Sequence, residues 1–246
     1  MNLEFPQLIL IALVMLGASL IQSVTGFGFG IFAMVFLPHL MAYTEANVLS
    51  TILSTFTSLA VVALMLKHVD WKNMIAPAVG CTVSTYLAVS FIKTQESGTL
   101  TLMLGAALVI LSVYFFFFAG KIRIRATWYT GLAAGLLSGV MGGMFSMSGP
   151  PAVIYFMQSE SGTDKYLATI SAYFVLTNIF SIATKAAAGF VTLNVWIALA
   201  VGAVGMLLGS ICGKLTRDKM QPTVLKRAVY AVMAVSGVVN IITSLV

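Results

Sequence analysis

"QSVTGFGFG", Gln22 to Gly30, stands inside an apolar stretch, 7–42, that is long enough to cross a membrane. Glycines recur there at alternate positions, Gly26, Gly28 and Gly30. Each weakens a helix by about 1 kcal/mol relative to alanine, at a depth where unpaired backbone is most costly. A second long stretch, 127–158, carries "GLLSGVMGGMFSMSGPPAVIYFM" over 135–157. Proline lies beyond the break in both, Pro38 in the first and Pro150 and Pro151 in the second. The prolines fit the starts of returning arms, since proline is tolerated in a first helical turn.

The surrounding composition fixes the class. Of 246 residues, 60% are hydrophobic and 8% charged, against a usual charged share of roughly 25%. Mean hydropathy is +1.03. No soluble core absorbs so much apolar surface, so the sequence implies an all-α polytopic membrane protein with the lipid bilayer as its partner. The net charge of +6 comes from cations in short loops. That pattern fits cytoplasmic loops and argues against a nucleic-acid surface. "MNLEFPQLIL" at the start lacks a basic n-region, so a cleaved signal peptide is not expected. Cys81 and Cys212 lie within or at the end of apolar segments and suit small packing residues. No metal or cofactor site is expected.

Six further apolar segments fall at 46–66, 73–92, 98–119, 166–189, 192–213 and 223–246. Each is long enough, at 1.5 Å per residue, to span the roughly 30 Å hydrocarbon layer. The charged connection "GKIRIRA", 120–126, divides the chain into similar halves, 1–120 and 121–246. Each half opens with an interrupted segment. A Ser/Thr-rich helix follows, "ANVLSTILSTFTSLAVVAL" or "YLATISAYFVLTNIFSIATK", and then two more helices. This is the pattern of an internal duplication, common among secondary transporters.

Counting cations gives the expected orientation. If every segment crosses once, Lys67, Lys72, Lys121, Arg123, Arg125 and Lys185 lie on one side. Lys93, Lys165, Lys214, Arg217, Lys219, Lys226 and Arg227 lie on the other, and six against seven gives no bias. If the two interrupted segments return to the side they came from, only Lys93 and Lys185 oppose the other eleven. The eleven are then cytoplasmic. Both termini face the extracytoplasmic side of the inner (plasma) membrane. Each half crosses three times, so the halves are inverted repeats, each a Gly-rich broken-helix hairpin followed by three transmembrane helices. A complete double crossing by each interrupted segment gives the same count.

Broken helices leave free N–H groups and a positive dipole end inside the membrane, which suits an oxyanion. The first break offers Gln22, Ser23, Thr25, Gly26, Phe27, Gly28 and Gly30 as binding residues. The second offers Gly142, Gly143, Ser146, Ser148, Gly149 and Pro150. The helices after the breaks add polar stripes. Asn47, Ser50, Ser54 and Thr57 share one face of the first, and Ser171, Asn178, Ser181 and Lys185 share one face of the second. Both stripes are expected to face the protein interior. Ser54, Asn178 and Lys185 are the candidates there. Lys185 lies near its helix end, where it either snorkels to the interface or draws anions toward an outer vestibule. All seven acids fall at segment ends or between segments. His39 and His68 lie near segment ends, so dedicated proton coupling is not expected. Two histidines outside any "HExxH" setting and no membrane-core carboxylate also argue against an intramembrane enzyme. Trp71, Trp128 and Trp196 suit interfacial anchors. Phe115–Phe118 suit lipid-facing or packing positions.

At "QSVTGFGFG" and "GLLSGVMGGMFSMSGPPAVIYFM" the sequence resembles the sulfite exporter TauE/SafE family of membrane permeases. The likeness covers nearly the whole chain. The first motif matches at Gln22, Thr25, Gly26, Phe27, Gly28 and Gly30, and the second at Gly139, Gly142, Gly143, Gly149, Pro150 and Pro151. "ATISAYFVLTNIFSI", with Asn178, looks like the family's helix after the second motif. Ser146 and Ser148 stand where relatives often have more glycine. The resemblance implies a permease for sulfite, an organosulfonate such as sulfoacetate, or another small anion, usually moved outward. An anion channel using the same donors is the alternative.

Overall fold

The computed structural model describes residues 3–118, 124–216 and 222–245. The boundary between the halves at 120/121, both chain ends and Arg217, Asp218 and Lys219 lie outside the described residues. Among the described residues there are ten α-helices, two 3-10 turns and no strand. The first half holds α1 (Phe5–Thr25), α2 (Phe29–Phe36), α3 (Tyr43–Met65), α4 (Trp71–Ile92) and α5 (Ser97–Phe118). The second holds α6 (Trp128–Phe145), α7 (Gly149–Ser159), α8 (Thr163–Ala187), α9 (Leu193–Thr216) and α10 (Pro222–Leu245). Six of the helices, α1, α3, α4, α5, α8 and α9, are long and apolar enough to cross a membrane. The chain is an all-α polytopic membrane protein.

Both interrupted segments double back. Gly26 closes α1 with φ 82°, its N–H on the Gln22 carbonyl at 2.8 Å, and Gly28 opens α2 with φ 100°. Those left-handed angles cost glycine nothing. The Phe32 ring of α2 then lies against Gly17 of α1. A straight continuation would place those residues about 22 Å apart. In the second segment Ser146 closes α6 with φ 57°. Tyr155 of α7 returns to lie against Gly131 of α6. The arms are unequal. The outgoing helices hold 21 and 18 residues, the returning ones 8 and 11. A full crossing takes about 20 residues, so neither returning arm makes one.

Glycines set the main helix contacts. Gly205, Gly209 and Gly213 of α9 meet Ala12, Leu16 and Leu20 of α1 in the same chain direction. Gly135, Gly139 and Gly143 of α6 meet Pro77, Cys81 and Thr85 of α4, again in parallel. A side chain at most of these glycines would overlap backbone of the neighbouring helix. The remaining extensive contacts join α5 with α10 and α3 with α8. If α1–α5 are matched in order to α6–α10, the α1/α9 and α4/α6 pairs exchange, while α3/α8 and α5/α10 map onto themselves.

The two connections between the halves' helix ends are tied differently. Lys165 at the start of α8 pairs with Asp70 at 2.7 Å and with Glu160 at 3.1 Å. Asn73 Nδ2 donates to the same two carboxylates, and the Asp70 N–H donates to Thr169 Oγ1. The Lys165 hydrogen bond, helped by the Asn73 N–H, holds the Asp70 carboxyl below the usual aspartate range. Near the start of α3, Glu45 instead accepts from Thr192 Oγ1 at 2.6 Å and Asn194 Nδ2 at 3.4 Å.

Several sequence expectations change here. Pro38 does not start the returning arm. It sits in the 3-10 turn Leu37–His39 that ends it, where its missing N–H stops the helical ladder. Pro150 and Pro151 do stand in the first turn of α7. Phe116, Phe117 and Phe118 are exposed, but Phe115 is buried and stacks on Tyr230 at 4.8 Å because that face of α5 meets α10. Trp71, Trp128 and Trp196 are exposed near helix starts, as anchors require. Cys81 is buried, Cys212 is exposed, and both are free.

Candidate functional site

The two hairpin tips meet. A methyl group placed on Gly30 would overlap the Ser146 carbonyl oxygen, and one on Gly149 would touch the Phe27 ring at 3.5 Å. Between the tips lies a small, partly open cavity. The first hairpin lines it with Gln22, Phe27, Gly28, Phe29, Gly30 and Ile31, and the second with Ser146, Met147, Ser148 and Gly149. Ser54 of α3 and Phe174 of α8 complete the wall. No acidic side chain is among these lining residues.

The donors differ between the tips. The first turn of α2 turns the amides of Phe29, Gly30 and Ile31 away from the helical ladder. In the first turn of α7, Pro150 and Pro151 have no amide to give. The second tip substitutes hydroxyls. Ser146 Oγ lies 2.9 Å from Thr51 Oγ1. Ser138 Oγ donates to the Ser148 carbonyl, which fixes the turn from behind.

Behind Ser146 stands Lys185. It is fully buried, so it does not snorkel. Its Nζ donates to Thr51 Oγ1 at 2.7 Å and to the Gly142 carbonyl at 3.3 Å. The ammonium is thus two hydrogen bonds from the cavity, through Thr51 and Ser146. The reason is packing: α8 lies along α3, and the long stem reaches inward to the α6 tip. Thr51 escaped the sequence reading, although it stands four residues after Asn47 on the interior face.

The other predicted residues divide into lining and support. Gln22 lines the cavity, donates from Nε2 to Ser58 Oγ at 3.1 Å and accepts from Ser54 at 3.5 Å. Thr25 spends its hydroxyl on the Ile21 and Phe27 carbonyls, bracing its own turn. Gly26 packs toward Leu167 of α8, and Ser23 against Gly213 of α9. Gly142 and Gly143 give carbonyls to Lys185 and to Asn47, and Gly143 also packs on α4. Pro150 and Asn178 are buried but are not among the lining residues. Both polar stripes face inward as expected. Asn47, Ser50, Thr57, Ser171, Asn178, Ser181 and Lys185 are all buried, and Ser54 is partly so.

Two helical hairpins that break inside a membrane protein and close on one polar cavity free of acids form the kind of site that membrane transporters build. The comparisons agree. The family model described as Sulfite exporter TauE/SafE matches residues 11–239. A protein of Cupriavidus necator described as "Probable sulfite/organosulfonate exporter TauE" is 24% identical over 217 residues, 86% of this chain and 85% of its own length. No solved structure matches the chain. The chain belongs to the sulfite exporter TauE/SafE family, and it is a membrane transporter and not an enzyme.

Proposed function

We propose that the protein exports a small oxyanion, sulfite or an organosulfonate such as sulfoacetate, held between the hairpin tips. The observation that carries this reading is the single cavity shared by both tips, with main-chain amides on one side and Ser146 backed by Lys185 on the other. The absence of acids from its lining favours an anion over a cation. The printed description of the Cupriavidus necator relative supports the substrate class. A negative cell interior favours outward movement, by about 2.3 kcal/mol per charge at 100 mV.

In this reading the halves 1–120 and 121–246 are inverted repeats that rock about the tips, giving alternating access. The exchange of the α1/α9 and α4/α6 pairs supports it, as does the cation count. Both termini then lie on the extracytoplasmic side, and Asp70, Glu160 and Lys165 lie on the cytoplasmic side. Counterflow in proteoliposomes tests the function. Unlabelled sulfite or sulfoacetate inside should accelerate entry of the labelled anion. Absence of flux for any small anion, with folded protein verified, defeats the proposal. Flux without trans-stimulation makes the protein a channel.

A further inference from the structure

Resting on that reading, we infer that the protein without substrate opens to anions at one face, where α3 starts and α8 ends. The route runs from the tips past Asn178, Ser181 and Lys185 of α8 and Asn47 and Ser50 of α3. The opposite face is shut by a dry apolar layer.

The inference comes from comparing residues that correspond between the halves. Gly26 and Ser146 close the long arms, and Gly28 and Ser148 precede the returning ones. Tyr43 and Thr163 start α3 and α8. Each pair stands 120 residues apart. At the same offset Ser54 and Phe174 both line the cavity. The hydrogen bonds Lys185–Thr51 and Asp70–Thr169 make α3 and α8 antiparallel, so the offset exchanges the two ends of their contact.

Those ends differ in chemistry. One carries Asn47, Ser50 and Thr51 of α3 with Asn178, Ser181 and Lys185 of α8. Their counterparts at the other end are Leu167, Ile170 and Ser171 of α8 with Ser58, Val61 and Met65 of α3. The polar end is incompletely bonded. Asn47 Oδ1, Ser50 Oγ and Ser181 Oγ are buried with no hydrogen-bond partner among the described residues. The Asn178 side chain, also buried, makes no hydrogen bond among them either. Lys185 gives two hydrogen bonds, and an ammonium has three donors. At the apolar end Ser58 is already taken by Gln22, and Leu167 packs toward Gly26.

Buried polar atoms without partners are costly, and water or a sulfonate entering among them supplies the missing bonds. Water entering the apolar end would gain almost none. The contacts that close the two ends agree with this. Glu45 and Lys165 correspond at the same offset. Glu45 closes the polar end through hydrogen bonds from Thr192 and Asn194. Lys165 closes the apolar end through ion pairs with Asp70 and Glu160. The polar end is thus both the wetter and the more weakly fastened.

Single cysteines at matched positions test the route, in a Cys81→Ala, Cys212→Ala background. Ser50→Cys is set against Ile170→Cys, and Ser181→Cys against Val61→Cys. The probe is sulfonatoethyl methanethiosulfonate, a membrane-impermeant sulfonate, applied to cells and to inside-out vesicles so that each face is reached. From the face of Glu45 and Thr192, Ser50→Cys and Ser181→Cys should react roughly tenfold faster than their partners do from either face. Sulfoacetate should slow both reactions. Equal rates within the pairs, or labelling that sulfoacetate leaves unchanged, overturn the inference. Wild-type counterflow measured in parallel keeps the two readings apart: anions that still move while the paired rates are equal leave the proposed function standing and remove the route alone. Amide hydrogen exchange of the wild type in nanodiscs needs no substitution. Residues 43–51 should exchange faster than 163–171, and 178–187 faster than 58–67. An equal or reversed order also overturns the inference.

Discussion

At the first tip two glycines with positive φ make the turn, and three consecutive amides open the returning helix. At the second tip a serine takes the left-handed angle, and two prolines remove amides from the helix that follows. The arms are anchored differently as well. The first returning arm ends in the Leu37–His39 turn, and the second ends at Glu160, within the charged cluster of Asp70 and Lys165. One hairpin therefore presents backbone, and the other presents side chains with a lysine behind them. Under the proposed function, the two parts of anion recognition, geometry and charge, fall to different hairpins.

The sharpest way to break this contrast is at the contact between the tips. Gly30→Ala forces a methyl group into the Ser146 carbonyl, so it should abolish counterflow and lower the thermal unfolding midpoint. Gly149→Ala places its methyl group at ordinary contact distance from Phe27 and should retain most transport. Equal behaviour of the two variants would mean that the tips do not depend on close backbone approach.

A smaller effect is expected at Ser146. A non-glycine residue in the left-handed region costs roughly 1–2 kcal/mol, so Ser146→Gly should keep or raise the unfolding midpoint. The same change removes the Ser146 hydroxyl from the cavity wall and should weaken sulfite affinity several-fold. Ser146→Ala should lose both stability and affinity. If Ser146→Gly binds as well as wild type, the second tip works through its backbone like the first.

The smallest effect concerns the charged anchor. The Asp70 carboxyl is held below the ordinary aspartate range in the folded protein by Lys165 and the Asn73 N–H. A depressed folded value means that its contribution is present at neutral pH. That contribution is lost as pH falls through the folded value. Thermal unfolding followed from neutral into acid should therefore show a decline that Asp70→Asn reduces. An identical decline in Asp70→Asn would remove the charged anchor as a difference between the hairpins.

Much of this was legible in the chain. The alternating glycines of 26–30 and the Gly/Pro run of 139–151 locate both breaks, because few other residues make such turns inside lipid. The stripes Asn47–Thr57 and Ser171–Lys185 identify the inward faces, because polar groups avoid lipid. The position of Lys185 was harder to read. A lysine two residues before a helix end ordinarily reaches for the interface, and only packing of α8 on α3 and α6 turns it inward. Its register with Ser171 and Asn178 was the available signal. Pro38 escaped for a related reason: where a short arm ends depends on partners far along the chain.

The parallel glycine contacts carry a consequence for how the molecule is assembled. Because α1 is seated on α9 and α6 on α4, each hairpin's long arm leans on the opposite half of the chain. A gene cut at the connection between α5 and α6 would yield two fragments that each lack the surface their own hairpin rests on, and only co-insertion into one membrane would restore both.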